Sequence, residues 1–133
     1  VARENARRLG ASVRFEQGDL FAPLNQERFD LIVSNPPYIA RPELEALQPE
    51  VRREPLLALD GGADGLDFYR RIAREAPGHL RCGGSILLEV GAGQAGSVES
   101  MLCAQAFDLE GAVPDYRGIP RVVRAVWRAN TKR

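Results

Sequence analysis

Phe29-Asp30-Leu31-Ile32-Val33-Ser34-Asn35-Pro36-Pro37-Tyr38 opens on an apolar run and closes on two consecutive prolines. Leu31, Ile32 and Val33 in a row predict a strand buried in a parallel sheet, where both faces are covered. The prolines end it, because they remove backbone donors and stiffen the turn. In a doubly wound sheet, ligands sit outside the carboxyl ends of the strands, which is where Asn35 to Tyr38 fall. The stiff turn holds the Asn35 side chain and the Pro36 carbonyl outward together, two acceptors for one planar NH2 group. Tyr38 adds a flat face for the same group to stack on. Such a set suits methyl transfer to a conjugated nitrogen, a poor nucleophile whose lone pair is delocalised. The bland alternative is a proline-rich surface turn with a tyrosine packed beneath it.

Outward from this segment, strand and helix patterns alternate. Residues 1–9 carry Ala2, Ala6 and Leu9 on one stripe and stop at Gly10, as a helix does. Residues 13–17 alternate like a strand and end at Gly18-Asp19. Residues 35–65 hold five prolines and a Gly-Gly pair, which predicts loop with a short helical turn around 43–47. An amphipathic helix is expected over 66–76, stopped by Pro77-Gly78, then a third strand over 85–90. Ala95, Val98, Leu102 and Ala106 mark a further helix. Residues 107–113 and 122–127 close the chain as strands without a helix between them, expected to form an antiparallel, hairpin-like edge. The fold class is therefore α/β, with a mostly parallel sheet.

Composition narrows the function. The chain has 133 residues, 44% apolar and 27% charged, enough for one domain with its own core. Eighteen basic and eighteen acidic side chains cancel, which disfavours coating of nucleic acid by phosphate neutralisation. Only the end is one-sided: Arg117, Arg121, Arg124, Arg128, Lys132 and Arg133 have no acid among them. Strongly apolar runs reach three residues, so no membrane span is expected. With no charged-then-apolar leader either, the expected location is cytoplasmic. Cys82 and Cys103 fit neither a disulfide framework nor a metal cluster and are expected to be plain buried or half-buried thiols.

With the tetrad in this setting, the sequence resembles the HemK-type protein-(glutamine-N5) methyltransferases, which modify class-I peptide-chain release factors with S-adenosylmethionine. The resemblance runs through Ala2-Arg3-Glu4-Asn5-Ala6, Gln17-Gly18-Asp19-Leu20-Phe21, the segment from Phe29 to Ile39, and Pro49-Glu50-Val51-Arg52-Arg53-Glu54-Pro55. It continues in Gly61-Gly62, Asp64-Gly65-Leu66-Asp67-Phe68-Tyr69, Leu88-Glu89-Val90-Gly91 with Gln94, and Gly118 with Arg121-Val122-Val123. The tetrad alone is also similar to DNA and RNA amino-methyltransferases, and the stretch from Pro49 to Tyr69 narrows the match.

The resemblance implies a Rossmann-like class I methyltransferase fold and S-adenosylmethionine as cofactor. It implies that Asn35 and Pro36 bind the substrate glutamine amide, with Pro37 in the same turn and Tyr38 packed on the amide. Asp19 matches an acidic position near the cofactor adenine, with Asn35 also facing the cofactor. By its residues alone, Asp19 is equally a turn-capping aspartate. The loop from Arg41 to Asp64 would cover substrate or face the release factor. Glu54 receives no role, and Asp67 reads as first-turn helix charge.

Such enzymes also carry a glycine-rich cofactor loop, an acidic ribose ligand and a small helical domain, which the resemblance puts upstream of Val1. Residues 1–133 are then expected to be the C-terminal part of a single catalytic domain, missing its first strands. Weak S-adenosylmethionine binding by this chain alone follows, as does loose order over 1–25 or self-association through an unpaired strand at 13–17. Base amino-methylation and a catalytically empty binding fragment are the alternatives.

Gly91-Ala92-Gly93-Gln94-Ala95-Gly96 is a literal G-x-G-x-x-G, with Glu110 near the distance of a ribose-binding acid. A dinucleotide site is the competing reading, against which the preceding strand does not open a βαβ unit. His79 is expected in a solvent-facing loop, Trp127 in packing, and the terminal arginines on a solvated edge strand.

Overall fold

Tyr69, Ile72 and Ala76 recur at helical spacing, and with Val98 and Leu102 they make one apolar layer. That layer lies on Ile86 and Leu88, Phe107, and Val123 and Ala125 of a four-stranded sheet. A computed structural model describes residues 1–47 and 55–129. Its elements are α1 (Ala2–Leu9), β1 (Phe29–Ser34), α2 (Arg41–Leu44), α3 (Asp67–His79), β2 (Leu80–Glu89), α4 (Ala95–Cys103), β3 (Phe107–Pro114) and β4 (Pro120–Trp127). The predicted helices and four of the five predicted strands are present, in order.

The sheet runs β1-β2-β4-β3. β1 pairs in parallel with β2, while β4 is antiparallel to both β2 and β3. The reversed terminal pair is as expected, but β4 is not an edge: it inserts between β2 and β3. This fixes the basic terminus. Arg121 Nε donates to Asp115 at 3.1 Å, Arg128 Nε to Asp108 at 3.1 Å, and Arg124 to the Glu110 carbonyl at 3.3 Å. Three arginines with no acid near them in sequence are thus met across the β3–β4 hairpin. Trp127 packs against the core, as expected.

Tyr69 is fully buried, and its hydroxyl donates to the Glu89 carbonyl at 2.7 Å. A buried phenol needs such a partner, and burial pushes its pKa up. The bond also ties α3 to the end of β2, beside the site.

Several expectations fail, for physical reasons. Residues 13–17 form no strand, since a strand needs a neighbour's ladder and none of the described strands lies beside them. Among the described strands, β1 and β3 are the edges; β1 is the parallel one. Its Leu31 and Val33 are 52% and 67% exposed, so β1 is covered by helices on the Ile32 face only. Pro77-Gly78 does not stop α3, which runs on to His79. A proline in the last turn forfeits one hydrogen bond rather than a helix, and Arg28 donates to the Leu80 carbonyl at 2.9 Å just beyond it. His79 is not a solvent-facing loop residue: it stacks on Phe21 with ring centroids 4.7 Å apart, and its Nδ1 lies 3.0 Å from the Glu27 carbonyl. That clasp fastens the segment before β1 to the α3–β2 junction. Cys82 and Cys103 are exposed rather than buried.

Candidate functional site

β1 delivers the tetrad at its carboxyl end, where the parallel sheet predicts a ligand crevice. Asn35 is exposed, Pro36 buried, and Pro37 and Tyr38 are half-buried, with Tyr38 packed against the core.

The chain after the tetrad is clamped at once. Ile39 N–H donates to Leu59 (3.0 Å), Gly61 N–H to Ile39 (2.9 Å) and Arg41 N–H to Gly62 (2.9 Å). Ile39 and Asp60 form an isolated parallel bridge. Arg41 Nε reaches Asp60 Oδ2 at 3.0 Å, and the same carboxylate accepts from Gly62 N–H at 2.8 Å. A Cβ on Gly61 would lie 2.8 Å from Tyr38 Cα, so only glycine lets the two backbones approach.

The Asp60 carboxyl is held below its ordinary value, first by Gly62 N–H and then by the Arg41 guanidinium. A lowered folded-state pKa contributes stability above the unfolded value and loses it as pH falls through the folded value. The melting temperature of the Asp60→Asn variant is therefore expected to fall less on acidification than that of the wild type. Parallel pH–melting curves would contradict this.

One cleft includes the end of the tetrad, and a second runs along β1 as far as Ser34. Tyr38 opens on a polar one of about 450 Å³, with Glu43, Asp64 and the turn around Gly91 on its walls. Ser34, just before Asn35, lines an apolar one of about 310 Å³ with Leu20, Phe21, Leu24 and Ile72. Of the sequence-predicted site segments, Leu20, Phe21 and Ser34 line the apolar cleft and Tyr38 the polar one, while Asp19, Asn35, Pro36 and Pro37 are on the walls of neither. The Asp19 side chain accepts from Arg71 Nη2 at 2.8 Å and remains 66% exposed, next in sequence to Leu20 of the apolar cleft. It is an ion-pair partner rather than a turn cap; the turn uses its carbonyl, which accepts from Ala22 N–H. Asp67 begins α3 and pairs with Arg70 at 2.9 Å, as first-turn charge should. Glu54, and residues 48–53 of the predicted substrate-side loop, lie outside the described residues.

The Gly91 turn is not a phosphate cradle. Gln94 Oε1 accepts from Gly91 N–H at 2.9 Å, so the amide a phosphate would need is taken from within. β4 also separates β2 from β3, which removes the adjacent parallel pair of a dinucleotide unit. Sequence reading noted Gln94 only as part of a resemblance. Its signal was a lone amide side chain inside a glycine turn, three residues after Gly91. Among the described residues, no group of three His, Cys, Asp or Glu side chains could hold a metal, and no helix is long and apolar enough to cross a membrane.

Residues 1–50 match the family model of the Methyltransferase small domain. The release factor glutamine methyltransferase of Geobacter sulfurreducens is 54% identical over 124 residues, covering 92% of this chain and 44% of that protein. The ribosomal protein uL3 glutamine methyltransferase of Bradyrhizobium diazoefficiens is 52% identical over 86 residues, 65% of this chain and 27% of that protein. The chain thus spans less than half the length of the curated relatives it matches. A solved methyltransferase from Pyrococcus furiosus is similar with a TM-score of 0.68 at 17% identity, over 96% of this chain and 56% of that one. That likeness identifies the methyltransferase fold.

Proposed function

Over nearly all of its length the chain is a sequence relative of the release factor glutamine methyltransferases, and from that premise we propose that the whole protein methylates the side-chain amide of a glutamine in a class-I peptide-chain release factor. The observation that carries the reading is the Asn35-Pro36-Pro37-Tyr38 turn, clamped at the end of β1 with Tyr38 on the wall of a polar cleft. Cytoplasm is the proposed place of action.

S-adenosylmethionine supplies an electrophilic methyl group when bound. The residues present would fit its adenine side: Leu20 and Phe21 would offer an apolar wall, and the neighbouring Asp19 carboxylate, 66% exposed beside its Arg71 partner, would accept a hydrogen bond from the adenine amine. Asn35 and Pro36 accept from the substrate NH2, orient it, and push density back onto nitrogen as it gains positive character. Tyr38 holds the amide plane by stacking. Orientation and preorganised acceptors carry the rate, with no covalent enzyme intermediate.

The uL3 relative makes a ribosomal protein the second reading of the substrate. A nucleic-acid base is disfavoured by the zero net charge and by the pairing of the terminal arginines. Labelled methyl transfer to release factor, to uL3 and to RNA or DNA, measured side by side, tests the proposal. Transfer to release factor is expected to dominate; label on nucleic acid alone would overturn it.

A further inference from the structure

Gln94 joins three loops at the tetrad through one side chain. Its Oε1 accepts from Gly91 N–H at 2.9 Å, and its Nε2 donates to the Tyr38 carbonyl at 2.9 Å and the Gly65 carbonyl at 3.4 Å. The partners dictate the amide's orientation, since a peptide N–H only donates and a carbonyl only accepts. Both N–H bonds are spent on backbone oxygens. The Gln94 main chain is fixed as well, by its own N–H on the Gly91 carbonyl (3.1 Å) and its carbonyl under Val98 N–H (3.1 Å) at the start of α4.

The ring of Tyr38 depends on the same turn. A Cβ on Gly91 would lie 3.0 Å from Tyr38 Cδ2 and 2.8 Å from Gln94 Oε1. Gly91 therefore leaves the space that the ring fills, and Gln94 holds Gly91 in place. Backbone and ring of Tyr38 are both set from one amide.

We propose that Gln94 is a positioning residue of the methyl-transfer site, which fixes Tyr38 and through it the acceptor pair of Asn35 and Pro36. The inference rests on the methyltransferase reading above and goes beyond it, because Gln94 acts through Tyr38 and not on the substrate. Geometry of this kind is expensive to lose: a shift of about 1 Å at a reacting group costs on the order of 100-fold in rate.

Gln94→Glu is the discriminating change. The ionised carboxylate keeps the acceptor for Gly91 N–H but faces two carbonyl oxygens with no proton to give them. The protonated acid restores one donor, and the carbonyls hold its pKa above the ordinary carboxylate range. In the whole protein, kcat of Gln94→Glu relative to wild type is expected to fall about 10- to 100-fold as pH rises through that titration. KM for S-adenosylmethionine should change little, and melting temperatures measured in parallel should show both proteins folded throughout. Gln94→Ala, which cannot be rescued by acid, should be low at every pH. A pH-independent ratio for Gln94→Glu, or a loss confined to KM or to the unfolded fraction, overturns the inference and leaves the methyltransferase reading standing. A wild type that transfers no methyl to release factor overturns both.

Discussion

Asn35→Ala in the whole protein is expected to lower release-factor methylation by about 100- to 1000-fold, the usual effect of removing one preorganised group from a transition-state contact. The loss should fall on kcat, because the hydrogen bond strengthens as the amide nitrogen gains positive character. The side chain is exposed at the end of β1, so the melting temperature should shift only modestly. Asn35→Asp sharpens the test. It keeps an acceptor and should retain more activity than alanine if accepting is the role; if Asn35 donates instead, aspartate is at least as damaging. Cofactor affinity should change little in either variant. Methylation within a few-fold of wild type for Asn35→Ala would remove the tetrad from the mechanism.

Gly65→Ala is the second large effect, and it acts on fold and site together. Gly65 has φ +78°, and an added Cβ would collide with the Tyr38 carbonyl oxygen and lie 2.7 Å from Gln94 Nε2. The left-handed conformation alone costs alanine about 1–2 kcal/mol. The neighbour that must yield is backbone, with Gly61 packed against both Tyr38 and Gly65, so the collision is relieved only by displacing the tetrad's end. An unfolding free energy from urea titration lowered by about 2 kcal/mol or more, with methylation down about 100-fold, is expected. Gly93→Ala is the control. Gly93 has a similar φ of +80° but nothing within 4 Å of its Cβ, so it should show the backbone cost without the loss of rate. Equal behaviour of the two variants would contradict the crowding argument.

The site was more legible than the sheet around it. Asn35-Pro36-Pro37-Tyr38 could be placed because prolines act on their own backbone, and a three-residue apolar run before them needs no partner to be read as a strand. The segment 13–17 misled because its alternation is compatible with a strand, while pairing depends on which strands lie beside it. The position of β4 between β2 and β3 is a fact of pairing of the same kind. It carried with it the fate of Arg121 and Arg128, which look unpaired in sequence and meet Asp115 and Asp108 across the hairpin. The ion pair of Asp19 with Arg71, 52 residues on, was not legible in the sequence. Gln94 was hidden by its own motif. Glycines at Gly91, Gly93 and Gly96 invite a phosphate-loop reading, and only the folded turn reveals that the glutamine occupies the Gly91 amide itself. His79 shows the remaining weakness. A helix stop was read from Pro77-Gly78, and with it a loop, where the helix in fact carries His79 onto Phe21.

The central claim is that this site transfers methyl to a glutamine side-chain amide. Its most direct measurement is mass spectrometry of class-I release factor incubated with the whole protein and S-adenosylmethionine carrying a labelled methyl group. The account predicts one added methyl per release factor, with fragmentation placing the label on the side-chain nitrogen of a single glutamine, and no label when Asn35→Ala replaces the wild type for the same time. Label on any other residue type, or label that accumulates equally with Asn35→Ala, would contradict it.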